Sequence, residues 1–412
     1  MSAYENLAKA GVAVWLDDLS RERITSGSLA QMVDRKEIVG ITTNPTIFAK
    51  SISAGSGYDG QIRELALRGT AVGEALRLIT GRDVRDACDA LRPAFEASQF
   101  RDGRVSIEVD PRISADAERT AAEARGLWWL IDRPNLFIKI PATRAALPAI
   151  TAAISDGISV NVTLIFSVER YGAVLDAFML GLEQRLSNGG SLAGVESVAS
   201  FFISRVDIEV DRRLSELGFS EDADDLLRRA ELHGEVAIAN ARLAYEIYET
   251  ARTSGRWQNL ASHGASLQRL LWASTGVKDN TLPATHYVTE LVARDTVNTM
   301  PQATLEAVGL YSAPTPDRIR NQYDEARLVV GNLANLGIDL EDIAEALERD
   351  GISAFKKCWA ELVKSVEDQL TDNGADVTDE GAVKPAQGDS TTASPAAAAP
   401  AGTEKRVGEP RS

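Results

Sequence analysis

Lys139 sits inside the apolar run Leu136-Phe137-Ile138-Lys139-Ile140-Pro141-Ala142-Thr143. Ile138 and Ile140 flank it, and no alternating polar face surrounds it. If that strand is covered on both sides, the ammonium loses its hydration, which disfavours the charged form and makes the amine a usable nucleophile. On an edge strand the same side chain would snorkel to water instead. Elsewhere the chain offers carboxylates at Asp17 and Glu108 and a hydroxyl at Thr163. An amine, two carboxylates and a hydroxyl are the groups imine chemistry requires. The lysine attacks a ketone, the carbinolamine loses water, and the iminium takes up the electrons of a breaking carbon–carbon bond. Separate acid/base groups must handle the proton of the leaving hydroxyl and that of the hydroxyl left on the cleaved carbon.

These residues are far apart in sequence, so a scaffold must gather them. Short apolar runs at Val12–Leu16, Ile38–Thr42, Val105–Val109, Leu136–Ile140, Ser159–Thr163, Val198–Phe202 and Leu270–Ala273 read as strands, with a weaker eighth near Tyr287–Leu291. Helical patterns separate them. Val168, Tyr171, Val174, Leu175, Phe178, Met179, Leu182 and Leu186 recur at spacings of three and four, as do Ile352, Phe355, Trp359, Leu362, Val366 and Leu370. About eight strand–helix units predict an α/β fold, a (β/α)8 TIM barrel over residues 1–370. The competing doubly wound sheet calls for a glycine-rich turn after the first strand, and Trp15-Leu16-Asp17-Asp18-Leu19-Ser20 has no glycine. The length exceeds the roughly 250 residues of a typical barrel, and the excess falls in 50–104 and 207–266, both helical in pattern and read as insertions. After Leu370 there is no Leu, Ile, Phe, Met, Trp or Tyr, so 371–412 is read as a disordered low-complexity tail.

Barrel chemistry lies at the C-terminal ends of the strands. The polar residues there are Asp17, Asn44, Glu108, Lys139, Asn161 with Thr163, Ser200 followed by Arg205, and Ser274 followed by Lys278. Alternation puts Ser106 and Glu108 on one face, and likewise Asn161 and Thr163. Singly, each has a plain structural explanation: Asp17 as a helix cap, Asn44-Pro45 as a turn, Glu108 as a surface pair, Thr163 as a strand former, Lys278 as a solvated loop lysine. Packing does not explain one such group per strand at the same end.

Composition narrows the partners. The 412 residues carry a formal charge of -16 and are 44% hydrophobic. That balance argues against nucleic acid or anionic membrane, so a phosphate site must be a local basic pocket. Only two cysteines are present, Cys88 and Cys358, which suits a reducing cytoplasm. No secretory leader pattern and no membrane-spanning run is found. No cofactor or metal is expected. Gly55-Ser56-Gly57-Tyr58-Asp59-Gly60 spells a dinucleotide motif but follows no strand, and His233, His263 and His286 lack metal-ligand spacing.

The blocks Trp15-Leu16-Asp17-Asp18-Leu19-Ser20, Thr42-Thr43-Asn44-Pro45-Thr46, Ser106-Ile107-Glu108-Val109-Asp110, Lys139-Ile140-Pro141-Ala142-Thr143 and Asn161-Val162-Thr163-Leu164-Ile165-Phe166-Ser167 occur in that order. Over about residues 10–370 the chain resembles transaldolases of the longer bacterial kind. The resemblance implies a metal-free class I enzyme of the pentose phosphate pathway. It would carry a dihydroxyacetone unit from sedoheptulose 7-phosphate to glyceraldehyde 3-phosphate, giving erythrose 4-phosphate and fructose 6-phosphate. By the same resemblance, Lys139 is the Schiff-base lysine, Asp17 the base at the C4 hydroxyl, and Glu108 with Thr163 a proton relay through a water. Asn44 and Asn161 orient the dihydroxyacetone hydroxyls, and Ser200, Arg205 and Ser274 belong to the substrate and phosphate pocket. Many family members carry an arginine two residues after that last serine, whereas here Ser274-Thr275-Gly276-Val277-Lys278 leaves Lys278 as the candidate second cation. Phe202 is expected beside Ser200, where its ring would keep water from the intermediate. The alternatives are a class I fructose-6-phosphate-type aldolase using the same imine, and a non-catalytic sugar-phosphate-binding barrel. The sequence is compatible with a monomer or a homodimer.

Overall fold

The computed structural model describes residues 2–54, 56–218, 221–311 and 316–374. Among them, β1 (Val12–Leu16), β2 (Gly40–Ile41), β3 (Arg104–Glu108), β4 (Leu136–Pro141), β5 (Val160–Ile165), β6 (Ser197–Phe202), β7 (Arg269–Ala273) and β8 (Thr296–Met300) form a closed parallel barrel in sequence order. Five residue pairs, from Val12↔Thr296 to Leu16↔Met300, join β1 to β8 and close the ring. Strand residues are buried throughout. Outward side chains meet the helices and inward ones fill the barrel, which is why the strands read as continuous apolar runs.

Two strand assignments differ from expectation. Tyr287–Leu291 is not a strand: His286–Thr289 is a short helix, and Thr296–Met300 closes the barrel. Thr296-Val297-Asn298-Thr299-Met300 looks polar, but Asn298 is buried and its Oδ1 accepts from the Thr275 hydroxyl at 3.0 Å. The second strand is paired only over Gly40–Ile41. A Cβ at Gly40 would lie 2.4 Å from the Trp15 indole, so only glycine lets that ring pack against the strand.

Pro45–Ala54, Asp59–Leu67, Val72–Ala90 and Arg92–Ala97 lie between β2 and β3, and Ser204–Glu216, Ala223–Leu232, Val236–Thr253 and Gly255–Ser262 lie between β6 and β7. Gly55 of the glycine-rich stretch is outside the described residues; Ser56–Tyr58 is a 3-10 turn leading into a helix. The long helix Leu340–Asp372 buries Ile343, Ala344, Gly351, Phe355, Leu362, Val366 and Leu370 along one stripe, largely against Pro45–Ala54. It runs two residues past Leu370; the rest of the expected tail, from residue 375, lies outside the described residues.

β5 carries an irregularity that matters for the site. Its register against β6 shifts between Val162 and Ile165, and Leu164 has φ +61°. A leucine in the left-handed region costs roughly 1–2 kcal/mol. The Leu164 side chain is buried against the C-terminal helix, where a Cβ at Gly351 would approach its Cδ2 to 3.1 Å.

Candidate active site

At the C-terminal end of the barrel lies a cavity of about 510 Å³. Asp17, Asn44, Lys139, Thr163, Ser200, Arg205, Ser274 and Lys278 all line it, as does Phe202. Glu108 and Asn161 do not reach its surface. They stand just beneath, because the ladder sets Glu108 beside Lys139 and Lys139 beside Asn161.

Lys139 is 6% exposed. Its Nζ donates to Glu108 Oε1 and to the Thr43 carbonyl, each at 2.8 Å. Glu108 accepts a second bond from the Thr43 hydroxyl at 2.7 Å. Burial pushes the Glu108 carboxyl up from the ordinary carboxylate range, with the Lys139 charge pulling it back. Glu108 is therefore a carboxylate better able than most to receive a proton from the amine beside it.

Asp17 follows β1 directly, its amide bonded to Met300 O at 2.8 Å. The Thr42 hydroxyl donates to Asp17 Oδ1 at 2.8 Å. Burial raises this carboxyl as well, against the opposing charge of Lys139. Ser20, not Asp17, caps the next helix through the Arg23 amide, so the capping explanation for Asp17 falls away.

Asn161 is fully buried, donating to Ser106 Oγ at 3.0 Å and accepting from Ser200 Oγ at 2.6 Å. These bonds fix the rotamers of the floor under Lys139. Thr163 comes just before the left-handed Leu164, and its buried Oγ1 has no hydrogen-bond partner among the described residues. Asn44 holds its own helix start, its Oδ1 accepting from the Ile47 amide at 3.0 Å.

The far side of the cavity is basic. Arg205 opens the helix Ser204–Glu216, which has no side-chain cap at Ile203, so the positive end of the helix is turned to the site. Burial lowers the Arg205 guanidinium from its usual range, with Asp17 opposing. Its Cζ stands 5.1 Å from the Phe202 ring centroid, and that ring lies 5.1 Å from Phe166. Ser274 has φ +56°, and its Oγ is 2.9 Å from Ser204 Oγ. Lys278 is exposed at the rim.

Some residues at and beneath the cavity surface were not read from the sequence. Thr43 was visible in its motif but had no role. Lys50 and Phe355 come from helices whose cavity-facing residues carry no local signal; they reach the site only because the C-terminal helix packs on Pro45–Ala54. Among the described lining side chains, Lys50, Lys139, Arg205 and Lys278 are cationic and Asp17 alone is anionic.

A family model described as Transaldolase/Fructose-6-phosphate aldolase matches residues 14–366. The chain is 57% identical over 369 residues to a protein named Transaldolase from Thermobifida fusca (strain YX), covering 90% of this chain and 98% of the relative. It is 55% identical over 365 residues to a Transaldolase of Parafrankia sp. (strain EAN1pec), covering 89% and 97%. A protein named Transaldolase 2 from Streptomyces coelicolor (strain ATCC BAA-471 / A3(2) / M145) is 52% identical over 368 residues, covering 89% and 97%.

Proposed function

This chain belongs to the transaldolase/fructose-6-phosphate aldolase family, and we propose that it acts as a transaldolase through an imine on Lys139. The observation that carries the reading is the buried Lys139–Glu108 pair, at 2.8 Å, in the floor of a cavity that Asp17 also faces.

The contacts support the following steps. Glu108 takes a proton from Lys139, and the freed amine attacks the ketone carbon at C2. The carbinolamine then loses its hydroxyl as water, with Glu108 returning the proton and the Thr163 hydroxyl holding the water that relays it. The iminium draws electrons from the C3–C4 bond while Asp17 removes the proton of the C4 hydroxyl. The aldehyde product leaves, and the three-carbon enamine stays on Lys139. Attack of the enamine on a second aldehyde reverses these steps, Asp17 giving its proton to the new alkoxide. Asn44 and Ser200 orient the hydroxyls of the three-carbon unit, and Asn161 sets Ser200 by their 2.6 Å bond.

Arg205, Ser274 and Lys278, with the uncapped start of Ser204–Glu216, suit a phosphate at the other end of the ketose. The donor and acceptor are read as sedoheptulose 7-phosphate and glyceraldehyde 3-phosphate, with residues 1–370 as the catalytic unit. Among the described residues no helix is long and apolar enough to cross a membrane. Cys88 and Cys358 are both free thiols, which suits a reducing cytoplasm.

Borohydride reduction with fructose 6-phosphate, followed by intact mass spectrometry, tests the chemistry. A three-carbon adduct on Lys139, absent from Lys139→Ala, is expected. An active wild type that forms no adduct would sink the imine.

A further inference from the structure

We propose that His233 is a positioning residue for the phosphate end of the site, acting as a protonated clasp between the helix that carries Arg205 and the loop that carries Lys278. The proposal rests on the reading of those two cations as phosphate ligands. His233 ends the helix Ala223–Leu232 and touches neither cation's position directly. Its Nδ1 lies 3.3 Å from Asp211 Oδ1, on the helix Ser204–Glu216 that Arg205 opens. Its Nε2 lies 2.9 Å from Asp279 Oδ2, in the residue that follows Lys278.

Two carboxylates on opposite ring nitrogens are satisfied together only by the imidazolium, in which both nitrogens donate. A neutral ring has one N–H and turns a lone pair toward the other carboxylate. The contact is then repulsive, and one side of the clasp opens.

The surrounding contacts show that this turn is seated on the loop. Gly234 has φ +71°, and a Cβ there would come within 2.9 Å of Leu282 Cδ1. His286 Nε2 stands 3.1 Å from Gly234 O. Asp279 is itself fixed, accepting from the Thr281 amide at 2.7 Å and the Thr281 hydroxyl at 2.8 Å. Those bonds, with the charge of His233, hold its carboxyl below the usual range. The groups around the ring are Asp211 from one side, and Asp279 and the Thr281 hydroxyl from the other, the hydroxyl 3.4 Å from Nε2. Asp207, which accepts from Tyr287 at 2.8 Å, acts on Asp211 from behind; Glu235 and His286 flank the turn. Anionic groups dominate this set. The clasp works at the loop's own root: Ser274, Gly276 and Lys278 line the cavity, and Asp279 is the next residue.

The test compares KM for fructose 6-phosphate with KM for unphosphorylated D-fructose in wild type, His233→Gln, Asp279→Asn, the double variant and Lys278→Met, from about pH 5 to about pH 8. The second ionisation of the phosphate is common to all and cancels in ratios to wild type. At the acid end His233→Gln and Asp279→Asn should each raise KM for the phosphorylated ketose about three-fold, as expected for a half-exposed ion pair, with kcat moved less. The double variant should be no worse than either. The ratio should fall toward one as pH rises and the wild-type clasp opens. KM for D-fructose should not follow. If Lys278→Met leaves KM unchanged, the phosphate reading of Lys278 fails and the proposal falls with it. If Lys278→Met raises KM while His233→Gln and Asp279→Asn match wild type at every pH, the clasp alone is overturned. A KM that tracks chelator or added zinc and not pH overturns it in favour of a divalent cation held by the same three side chains.

Discussion

An ammonium held by a carboxylate and a carbonyl, each at 2.8 Å, is not a nucleophile until its proton moves. Glu108 is where the proton goes, and its raised carboxyl makes that transfer easier than to an ordinary glutamate. Glu108→Gln keeps a hydrogen-bonding side chain beside Lys139 and removes the base. The rate of imine formation, read by borohydride trapping, should drop by about 10²–10⁴-fold; trapping at the wild-type rate would remove Glu108 from the relay. Asp17 adds a pH dependence. It serves as a base only when ionised, and burial raises its carboxyl, so it is protonated at a pH where an ordinary aspartate, near about 4, is still charged. The acid limb of kcat/KM should therefore lie above about pH 4, and a limb below that value would contradict the role. Phe202 is 7% exposed and borders the cavity between Phe166 and Arg205. Phe202→Tyr places a hydroxyl where the enamine waits for its acceptor, and should raise release of the free three-carbon unit relative to transfer. An unchanged ratio, assayed with and without acceptor aldehyde, removes the ring from the partition. The sequence made these residues legible because each stands in a short run at a strand end. It left Thr43 without a role because a threonine before Asn-Pro reads as turn chemistry, and its bonds to Glu108 and Lys139 appear only when β2, β3 and β4 are side by side.

Elements show where periodicity stops informing. Seven strands were legible from apolar runs, because a parallel strand buried on both faces is apolar on both. β8 was not, since Thr296, Asn298 and Thr299 each make a hydrogen bond inside the fold; Asn298 accepts from Thr275 at 3.0 Å, Thr296 donates to Ala293 O at 2.8 Å and Thr299 shares a bond with Thr42 at 2.9 Å. The bulge in β5 left no trace either, because a leucine is the wrong residue to announce a left-handed φ. Its cause is tertiary: the Leu164 side chain is received over Gly351, in a helix nearly two hundred residues downstream. β2 carries the clearest packing prediction. At two paired residues it is the shortest strand of the barrel, and it holds Thr42 and Thr43 in place from one end. The Trp15 ring fills the place of a side chain at Gly40. A methyl there meets the indole at 2.4 Å, and the ring is 0% exposed with no room to yield. Gly40→Ala should lower stability by about 3 kcal/mol, at the upper end of overpacking costs. A denaturant midpoint within error of wild type would show that Trp15 can move.

Charge is the property that belongs to the molecule as a whole. A chain of formal charge -16 should repel a phosphorylated sugar at long range, yet the cavity gathers four cationic side chains and one carboxylate. The contradiction resolves by distance. At about 0.1 M salt the screening length is about 10 Å, so surface acids several screening lengths away contribute little, while Arg205 and Lys278 act at contact range. Lowering salt restores the reach of both fields, and their signs oppose. If the cavity's own cations dominate, as low-dielectric walls that focus a local field imply, kcat/KM for fructose 6-phosphate should fall several-fold between about 0.02 M and about 0.5 M salt, chiefly through KM. D-fructose should show no such trend, since it carries no charge to be steered. The C-terminal part of the chain gives a control. The helix Leu340–Asp372 brings Phe355 to the cavity, and Cys358 Sγ receives a bond from the Thr46 hydroxyl at 3.1 Å. Among the described residues, no cavity-lining residue comes from beyond it. Deleting residues 375–412 should therefore leave both kcat/KM and its salt slope as they were, whereas a deletion that starts before Leu340 should abolish folding, because it strips the buried stripe from Pro45–Ala54. A changed salt slope on removing 375–412 alone would mean that this segment contributes to the field at the cavity, and that local cations do not suffice to set it.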